Sequence, residues 1–253
     1  MLCETSMDLD RKARSIWQIW QQVSGILLID SPEWDASEHV GLLTVIGGIR
    51  HVGLFLDVAD PHTERLIRLL RELDLRAFFA SGPQPVYDWE SPHPPEITKI
   101  FRERSTSMGL WVCRHADNAR TINNGVDQIA AGRLLGYPQC CIDAQQQVNA
   151  AFEDALVQGW TREFGDDPGK ITQAWLADRK VRIDFEEPDR IPRTVSLFPF
   201  VQHFACEQCL KQGDTPTALL NTAYRKLVAD VDPALHRYLV RVGKRHGEPK
   251  CRG

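Results

Sequence analysis

The sequence has no basic surplus and none of the common nucleotide-binding or serine-hydrolase motifs. Its 253 residues include 30 Lys and Arg against 34 Asp and Glu, which gives a formal net charge of -4. Nucleic-acid-binding domains usually carry a basic patch or stripe, so we expect no nucleic-acid partner. Gly47, Gly48 and Gly53 do not have the GxGxxG spacing of a dinucleotide site, and the chain contains no phosphate-binding loop.

Long hydrophobic runs are also missing. The most apolar stretch, residues 40–58, is interrupted by Arg50, His51 and Asp57. A membrane-spanning helix needs about 20 predominantly apolar residues. The first 14 residues mix acidic and basic side chains and lack the apolar centre of a secretory signal. The sequence therefore predicts a cytoplasmic protein without a membrane partner.

The seven cysteines are an odd number, and most of them are clustered. In a cytoplasmic chain, clustered cysteines indicate metal or redox chemistry rather than a disulfide framework. Cys3 and Cys251 lie near the ends of the sequence, and Cys113 follows an apolar pair that predicts a buried small side chain. The other four cysteines form two short groups: Cys140, Cys141, Cys206 and Cys209.

Apolar periodicity and turn residues predict an α/β (α+β) fold, in which a small N-terminal α/β layer packs with a mainly helical, cysteine-containing C-terminal half. An amphipathic helix is expected over residues 8–23 and is expected to end at Gly25. Short apolar runs predict strands at 26–29, 40–46, 51–58, 75–79 and 110–114, with a hairpin turn at Gly47-Gly48. A cap residue followed by proline predicts helix starts at Asp60-Pro61, Thr215-Pro216 and Asp232-Pro233. The helix between the strands at 51–58 and 75–79 predicts a crossover onto a parallel pair.

Composition divides the chain into four parts. Residues 1–83 form the N-terminal α/β region, and 84–109 form a proline-rich loop and connector, because proline removes amide donors. Residues 110–243 form the helical, cysteine-rich metal-site region. Residues 244–253 form a basic tail.

The first cysteine pair is expected at the start of a helix. A helix over residues 126–135 should end at Gly136 in a left-handed conformation, and Pro138 should open the next helix, which runs to about residue 158. Consecutive residues on a helix point about 100° apart, so Cys141 is expected to face the core while Cys140 points elsewhere. Free amides at a helix start favour the thiolate, which is the form that binds metal.

These positions predict a metal or iron–sulfur centre with candidate ligands Cys140, Cys141, His203, Cys206 and Cys209. Four thiolates, or three with His203, suit tetrahedral zinc. The divergent pair Cys140 and Cys141 fits a larger cluster better, so an iron–sulfur cluster is favoured over zinc. His203 could be a ligand, a hydrogen-bond donor to a sulfur, or a proton donor. Buried cysteines without a cofactor and a redox dithiol remain alternatives.

The stretch Gly132-Arg133-Leu134-Leu135-Gly136-Tyr137-Pro138-Gln139-Cys140-Cys141 resembles the GRLLGYPxCC signature of an uncharacterised prokaryotic family, a domain of unknown function with the number four-eight-three. That family also has a downstream HxPCxxxC-like segment, which residues His203 to Cys209 of this chain resemble. This chain has Ala205 before Cys206 and two residues, not three, between the last two cysteines. The resemblance covers about residues 110–227 and implies no particular activity.

The function predicted from these residues is that of an enzyme which uses a cysteine-ligated centre on a small molecule, in sulfur transfer or a redox step. Tyr137 and His203 are the candidate catalytic residues, and Arg133 could bind substrate or lie on the surface. A pocket lined by Phe198, Phe200 and Phe204 would favour this interpretation. The alternatives are a non-enzymatic protein, with a structural zinc or a metallochaperone role, and a metal-free cysteine nucleophile paired with His203.

Overall fold

The computed structural model describes residues 6–30, 36–56, 63–83, 108–165, 167, 198–211 and 213–247. Three strands lie in these ranges, β1 (Val52–Leu56), β2 (Arg76–Ser81) and β3 (Met108–Cys113). The helices of the same ranges are α1 (Ser6–Asp30), α2 (Ala36–Ile46), α3 (Thr63–Glu72), α4 (Ala116–Asn123), α5 (Gln128–Leu134), α6 (Gln139–Phe164), α7 (Glu207–Leu210), α8 (Pro216–Val231) and α9 (Pro233–Gly247). The chain has the predicted α+β fold, with a small sheet and a mainly helical C-terminal half.

The sheet has the order β1-β3-β2, and β3 is antiparallel to both neighbours. Cys113 of β3 is opposite Val52 on one side and opposite Arg76 on the other. β1 and β2 therefore run in the same direction, but they do not pair with each other. The crossover through α3 joins two strands that run in the same direction, as predicted. The predicted hydrogen-bonded pairing of these two strands is wrong, because β3 lies between them.

Both faces of β3 are buried over residues 109–113, and its side chains alternate between two cores as strand geometry requires. Leu110 and Val112 of β3 belong to the larger core, which α1, α2, α3, α8 and α9 cover. Trp111 and Cys113 belong to a second core against α4 and α5. A central strand buried on both faces reads as a continuous apolar run, which is how the sequence presents residues 110–113.

Two predicted strands are helical. Residues 26–29 continue α1 through Gly25, because Ile26 extends the buried face of Trp20 and Val23. A glycine within a helix costs only about 0.5–1 kcal/mol relative to alanine, which this burial outweighs. Residues 40–46 belong to α2, and each of them is buried. A fully buried helix and a buried strand give the same short apolar run.

Several other boundaries differ from the prediction. The Gly47-Gly48 turn joins α2 to β1 rather than two strands. The helix α6 continues past residue 158 to Phe164, because the buried Trp160 extends its apolar face. The helix α9 includes the first residues of the predicted basic tail. The predicted helix start at Asp60-Pro61, residues 84–107 of the predicted connector and residues 248–253 lie outside the described ranges. The last two residues of that connector, 108–109, belong to β3.

The strands predicted at 51–58, 75–79 and 110–114 are confirmed as β1, β2 and β3. Thr215-Pro216 begins α8 as predicted, with the Thr215 hydroxyl accepting from the Ala218 amide. The larger core takes residues from both sides of the predicted connector, including Ala77 and Tyr224. Among the described helices, none has the length and apolar character needed to cross a bilayer.

Candidate metal centre

The turn between α5 and α6 sets the direction in which α6 begins. Gly136 has a φ of 73°, the left-handed conformation predicted for it. Its amide donates to the Arg133 carbonyl at 3.0 Å, and the Tyr137 amide donates to the Gly132 carbonyl at 2.9 Å. These two bonds complete a Schellman motif. A Cβ on Gly132 would lie 2.9 Å from a side-chain carbon of Ile142, so this glycine allows α5 and α6 to pack closely.

Four thiols meet at the start of α6. The Sγ atoms of Cys140, Cys141, Cys206 and Cys209 all lie within 4.8 Å of one another, and three of the four residues are buried. The Cys140 and Cys209 sulfurs are 3.6 Å apart, well beyond the disulfide bond length of about 2.05 Å. All four are free thiols. The chain therefore has a cluster of four cysteines that is compatible with metal binding.

The predicted divergence of Cys140 and Cys141 is wrong. Both side chains reach the same centre, although they are consecutive on α6. Helical side chains lean toward the N-terminus of their helix. In the first turn this direction leads past the end of the helix, where the two thiols meet Cys206 and Cys209.

The second pair of thiols is presented by the short helix α7. Cys206 is its N-terminal cap residue, and the Cys206 amide donates to the Cys141 sulfur at 3.4 Å. Cys209 follows in the first turn, which is the i, i+3 spacing expected from the sequence. Ala205, which stands where the resembling family has proline, is fully buried beside the sulfurs.

Thr217 connects the thiols to His203, and sequence reasoning did not identify it. The residue is fully buried in the first turn of α8. Its Oγ1 lies 3.3 Å from the Cys141 sulfur and 3.1 Å from Nε2 of His203. Thr217 also lies close enough to Cys209 to lower the pKa of that thiol. The sequence offered one signal for Thr217, its position two residues after the predicted cap at Thr215. Amides in the first turn of a helix have no partner within the helix, so they are free to bind a nearby group.

The four thiols differ in acidity. Burial raises the pKa of Cys140 and of Cys141, and hydrogen bonds from neighbouring thiols raise the Cys140 pKa further. Burial also acts to raise the pKa of Cys209, but hydrogen bonds from Thr217 and from the neighbouring thiols outweigh it and lower that pKa to about 7. Cys209 is therefore the first of these three thiols to ionise, and a cation at the centre would favour the thiolate form of all of them.

His203 and Tyr137, the two candidate catalytic residues, contact each other beside the cluster. Their ring centres are 4.8 Å apart and the rings are inclined by 37°. Burial, with a smaller contribution from the Arg50 charge, lowers the pKa of His203 to about 4, so its imidazole is neutral at physiological pH. Its Nε2 reaches the Thr217 hydroxyl, and the ring lies outside the group of four sulfurs.

Arg50 is a buried charge that the sequence showed only as an interruption of an apolar run. The residue is 4% exposed, and its Nη1 donates to Oε1 of Gln202. The guanidinium carbon lies 5.6 Å from the centre of the Tyr137 ring. Among the described residues, Nε and Nη2 of Arg50 have no hydrogen-bond partner. Arg50 therefore places a positive charge next to His203 and Tyr224.

A cavity of about 310 Å³ opens beside the cluster. Cys141, Tyr137 and His203 line one wall, and α5 and α6 supply most of the rest. Of the three phenylalanines whose presence in a pocket would favour an enzyme, Phe204 lines this cavity and is 58% exposed. Phe200 is buried in the larger core, and Phe198 packs between that core and the cysteines. The condition is therefore met by Phe204 alone among the three.

Arg133, two histidines and Cys113 lie outside the group of four sulfurs. Arg133 is exposed, and its Nε donates to Oε1 of Gln139 at 3.0 Å, so it occupies the surface position that was one of its two alternatives. Ring nitrogens of His51 and His115 lie 3.3 Å apart at the surface. His51 directly precedes β1 and His115 lies two residues after the end of β3, so the antiparallel pairing of these strands brings the two rings together. Cys113 is fully buried as predicted, and burial raises its pKa to about 12.

Comparison of the chain with protein-family models, with curated proteins and with solved structures gives no match. The resemblance to the GRLLGYPxCC family stays a prediction. The features from which we infer a function are therefore the geometry of the four sulfurs and the cavity beside them.

Proposed function

We propose that Cys140, Cys141, Cys206 and Cys209 bind a single metal ion through four thiolates, and that the ion is zinc. The observation that carries this proposal is the mutual distance of the sulfurs, all within 4.8 Å. A regular tetrahedron with zinc–sulfur bonds of about 2.3 Å has sulfur–sulfur edges of about 3.8 Å. The 3.6 Å between the Cys140 and Cys209 sulfurs is close to that edge, so only small side-chain movements would complete the coordination.

An iron–sulfur cluster, which the sequence favoured, is the weaker proposal. That preference depended on Cys140 and Cys141 pointing apart, and they converge. The thiolates of a four-iron cluster bind different iron atoms and so lie further apart than the ligands of one ion. To accept such a cluster, the buried sulfurs would have to separate within a packed region that includes Ala205 and Phe198.

A structural role follows from a closed set of four thiolates, because structural zinc sites fill every ligand position with protein. The ion would join the first turn of α6 to α7 and, through Thr217, to α8. Binding of the ion would also stabilise the fold around the four clustered thiols, because the free energy of metal binding adds to that of folding. His203 would then support the site through Thr217 rather than bind the ion.

An enzyme acting on a small molecule is the second proposal, and the cavity beside Cys141 is the observation that favours it. Tyr137 and His203 line that cavity, and the neutral imidazole could accept a proton from a bound substrate. Sulfur transfer or a redox step would use the Cys141 sulfur. A metal-free cysteine nucleophile is less well supported, because His203 contacts the Thr217 hydroxyl instead of a thiol.

Metal analysis of protein purified without oxygen tests the first proposal. We expect one zinc per chain, no acid-labile sulfide and no visible colour. Cys141→Ser and Cys206→Ser should lose the zinc, while Cys113→Ala, which alters a buried cysteine of the sheet outside the cluster, should keep it. Finding iron with matching acid-labile sulfide would show that the centre is an iron–sulfur cluster and not a zinc site. Metal-free protein with all thiols reduced would overturn the proposal.

A further inference from the structure

The cavity beside Cys141 has a mainly apolar lining, with several carboxamide side chains among the described residues. The part of the lining that the structure describes contains no Asp, Glu, Lys or Arg, and the histidine in it is His203. At about 310 Å³ the cavity is at the lower end of the range for small-molecule sites, about 300–1,000 Å³. We propose that it binds an uncharged, planar heterocycle with an amide-like edge, as found in a free nucleobase or nucleoside. This inference goes beyond the metal centre and does not depend on which ion the centre holds.

The side chains that line the cavity indicate which charge the buried part of the ligand can carry. A carboxylate, phosphate or ammonium group removed from water needs an opposite charge or several hydrogen bonds, and an unpaired charge is costly to bury. The described residues of the lining include no acidic or basic side chain for this purpose. The positive charge of Arg50 lies outside the lining, where Nη1 of Arg50 is held by Gln202. This lining therefore suits an uncharged bound group.

Five carboxamide side chains line the cavity, and four of them form a hydrogen-bonded group. Oε1 of Gln128 accepts from Asn149 at 2.7 Å and from Gln146 at 3.4 Å, while Gln145 donates to Asn149 at 2.8 Å. This arrangement leaves Nε2 of Gln128 as a donor and Oε1 of Gln146 as an acceptor, with no partner among the described residues. A carboxamide presents a donor and an acceptor in one plane, which is the pattern that asparagine and glutamine use to bind an adenine edge.

Aromatic and aliphatic side chains supply the flat surfaces that such a ring requires. Tyr137 and His203 present adjacent rings, and Phe204 places an exposed ring at the same cavity. Leu135 and Ile142 add apolar wall. Unstacked bases are held in proteins by this combination of aromatic faces and hydrogen bonds to the base edge.

Isothermal titration of the metal-replete protein with adenosine, guanosine, cytidine and uridine tests the inference. Inorganic phosphate and glutamate serve as charged controls. We expect at least one nucleoside to bind with a micromolar to millimolar Kd and neither charged control to bind more tightly. Failure of all four nucleosides to bind, or tighter binding of a charged control, would overturn the inference.

Two variants of Gln128 test the role of its amide. Gln128→Glu has the same shape but loses the Nε2 donor, and Gln128→Leu removes the hydrogen-bonding group. Each should weaken nucleoside binding about tenfold, the effect of one hydrogen bond. Gln22→Leu, at an exposed glutamine of α1, should bind like the wild type. Unchanged binding by both Gln128 variants would contradict the inference. Zinc content measured on the same samples keeps this result separate from the metal proposal.

Discussion

At the scale of single residues, Thr217 is the point where three functional side chains meet. Its hydroxyl contacts Cys141 and His203, and Thr217 lowers the pKa of the Cys209 thiol. Groups that hold metal ligands in place through hydrogen bonds contribute strongly to affinity, even though they do not touch the metal. Thr217 thereby orients the Cys141 thiol, one of the proposed ligands, and sets the position of the neutral imidazole.

Replacing Thr217 by valine should weaken zinc binding by about 10–100-fold, the usual range for the loss of such a supporting group. Valine keeps the shape and the backbone amide and removes only the hydroxyl. Competition with a chromophoric chelator gives the zinc Kd. Thr222→Val removes an exposed hydroxyl from the same helix and should leave the Kd unchanged. Equal Kd values for Thr217→Val and the wild type would show that the hydroxyl has no part in metal binding.

At the scale of helices and turns, the α5–α6 junction was predictable and the contacts across the site were not. Gly136 and Pro138 carry conformational preferences that act locally, so the sequence alone predicts where α5 ends and α6 begins. Thr217 and Arg50 reach the site only through packing between elements far apart in the chain. Local patterns contain no information of that kind, which is why the sequence showed the sulfurs but not the residues around them.

Alanine substitutions at two glycines should change the free energy of unfolding in opposite directions. Gly136→Ala should lower the free energy of unfolding by about 1–2 kcal/mol, because alanine is strained at a φ of 73°. Gly25→Ala should raise it by about 0.5–1 kcal/mol, since Gly25 is helical and an added methyl group meets no atom within 4 Å. Urea denaturation of both variants measures the two changes. A Gly136→Ala variant as stable as the wild type would contradict the Schellman geometry.

At the scale of the whole molecule, the site is separate from the packing that holds the sheet. The two cores on the faces of the sheet contain none of the four clustered cysteines, which form a small core of their own with Ala205. The strands at 51–58, 75–79 and 110–114 were predictable because they alternate or are fully apolar. Their antiparallel order was not, because neighbouring strands in a sheet are chosen by long-range packing. The helical nature of residues 40–46 was hidden for a similar reason: burial on all sides removes the periodicity.

Removing the metal should loosen the site and leave the sheet intact. Hydrogen exchange with and without a strong chelator, under reducing conditions, should show faster exchange at the start of α6, in residues 198–211 and at the start of α8. Amides of β3 should exchange at an unchanged rate, because both of its faces are buried in cores that lack the four cysteines. Faster exchange in β3 would mean that the ion stabilises the whole fold. Unchanged exchange around the cysteines would contradict a structural role for the ion.

The position of β3 between β1 and β2 also determines the order in which a nascent chain can assemble. Both outer strands leave the ribosome before their shared neighbour, so neither has its sheet partner until Met108–Cys113 has been synthesised. Apolar strands that wait for a partner are exposed to misassembly during synthesis. Cys206 and Cys209 emerge much later than Cys140 and Cys141. Translation therefore delivers all three strands before Cys206 and Cys209, and a ribosome stalled between the two cysteine pairs would carry the complete set of strands with half of the proposed thiolate ligands.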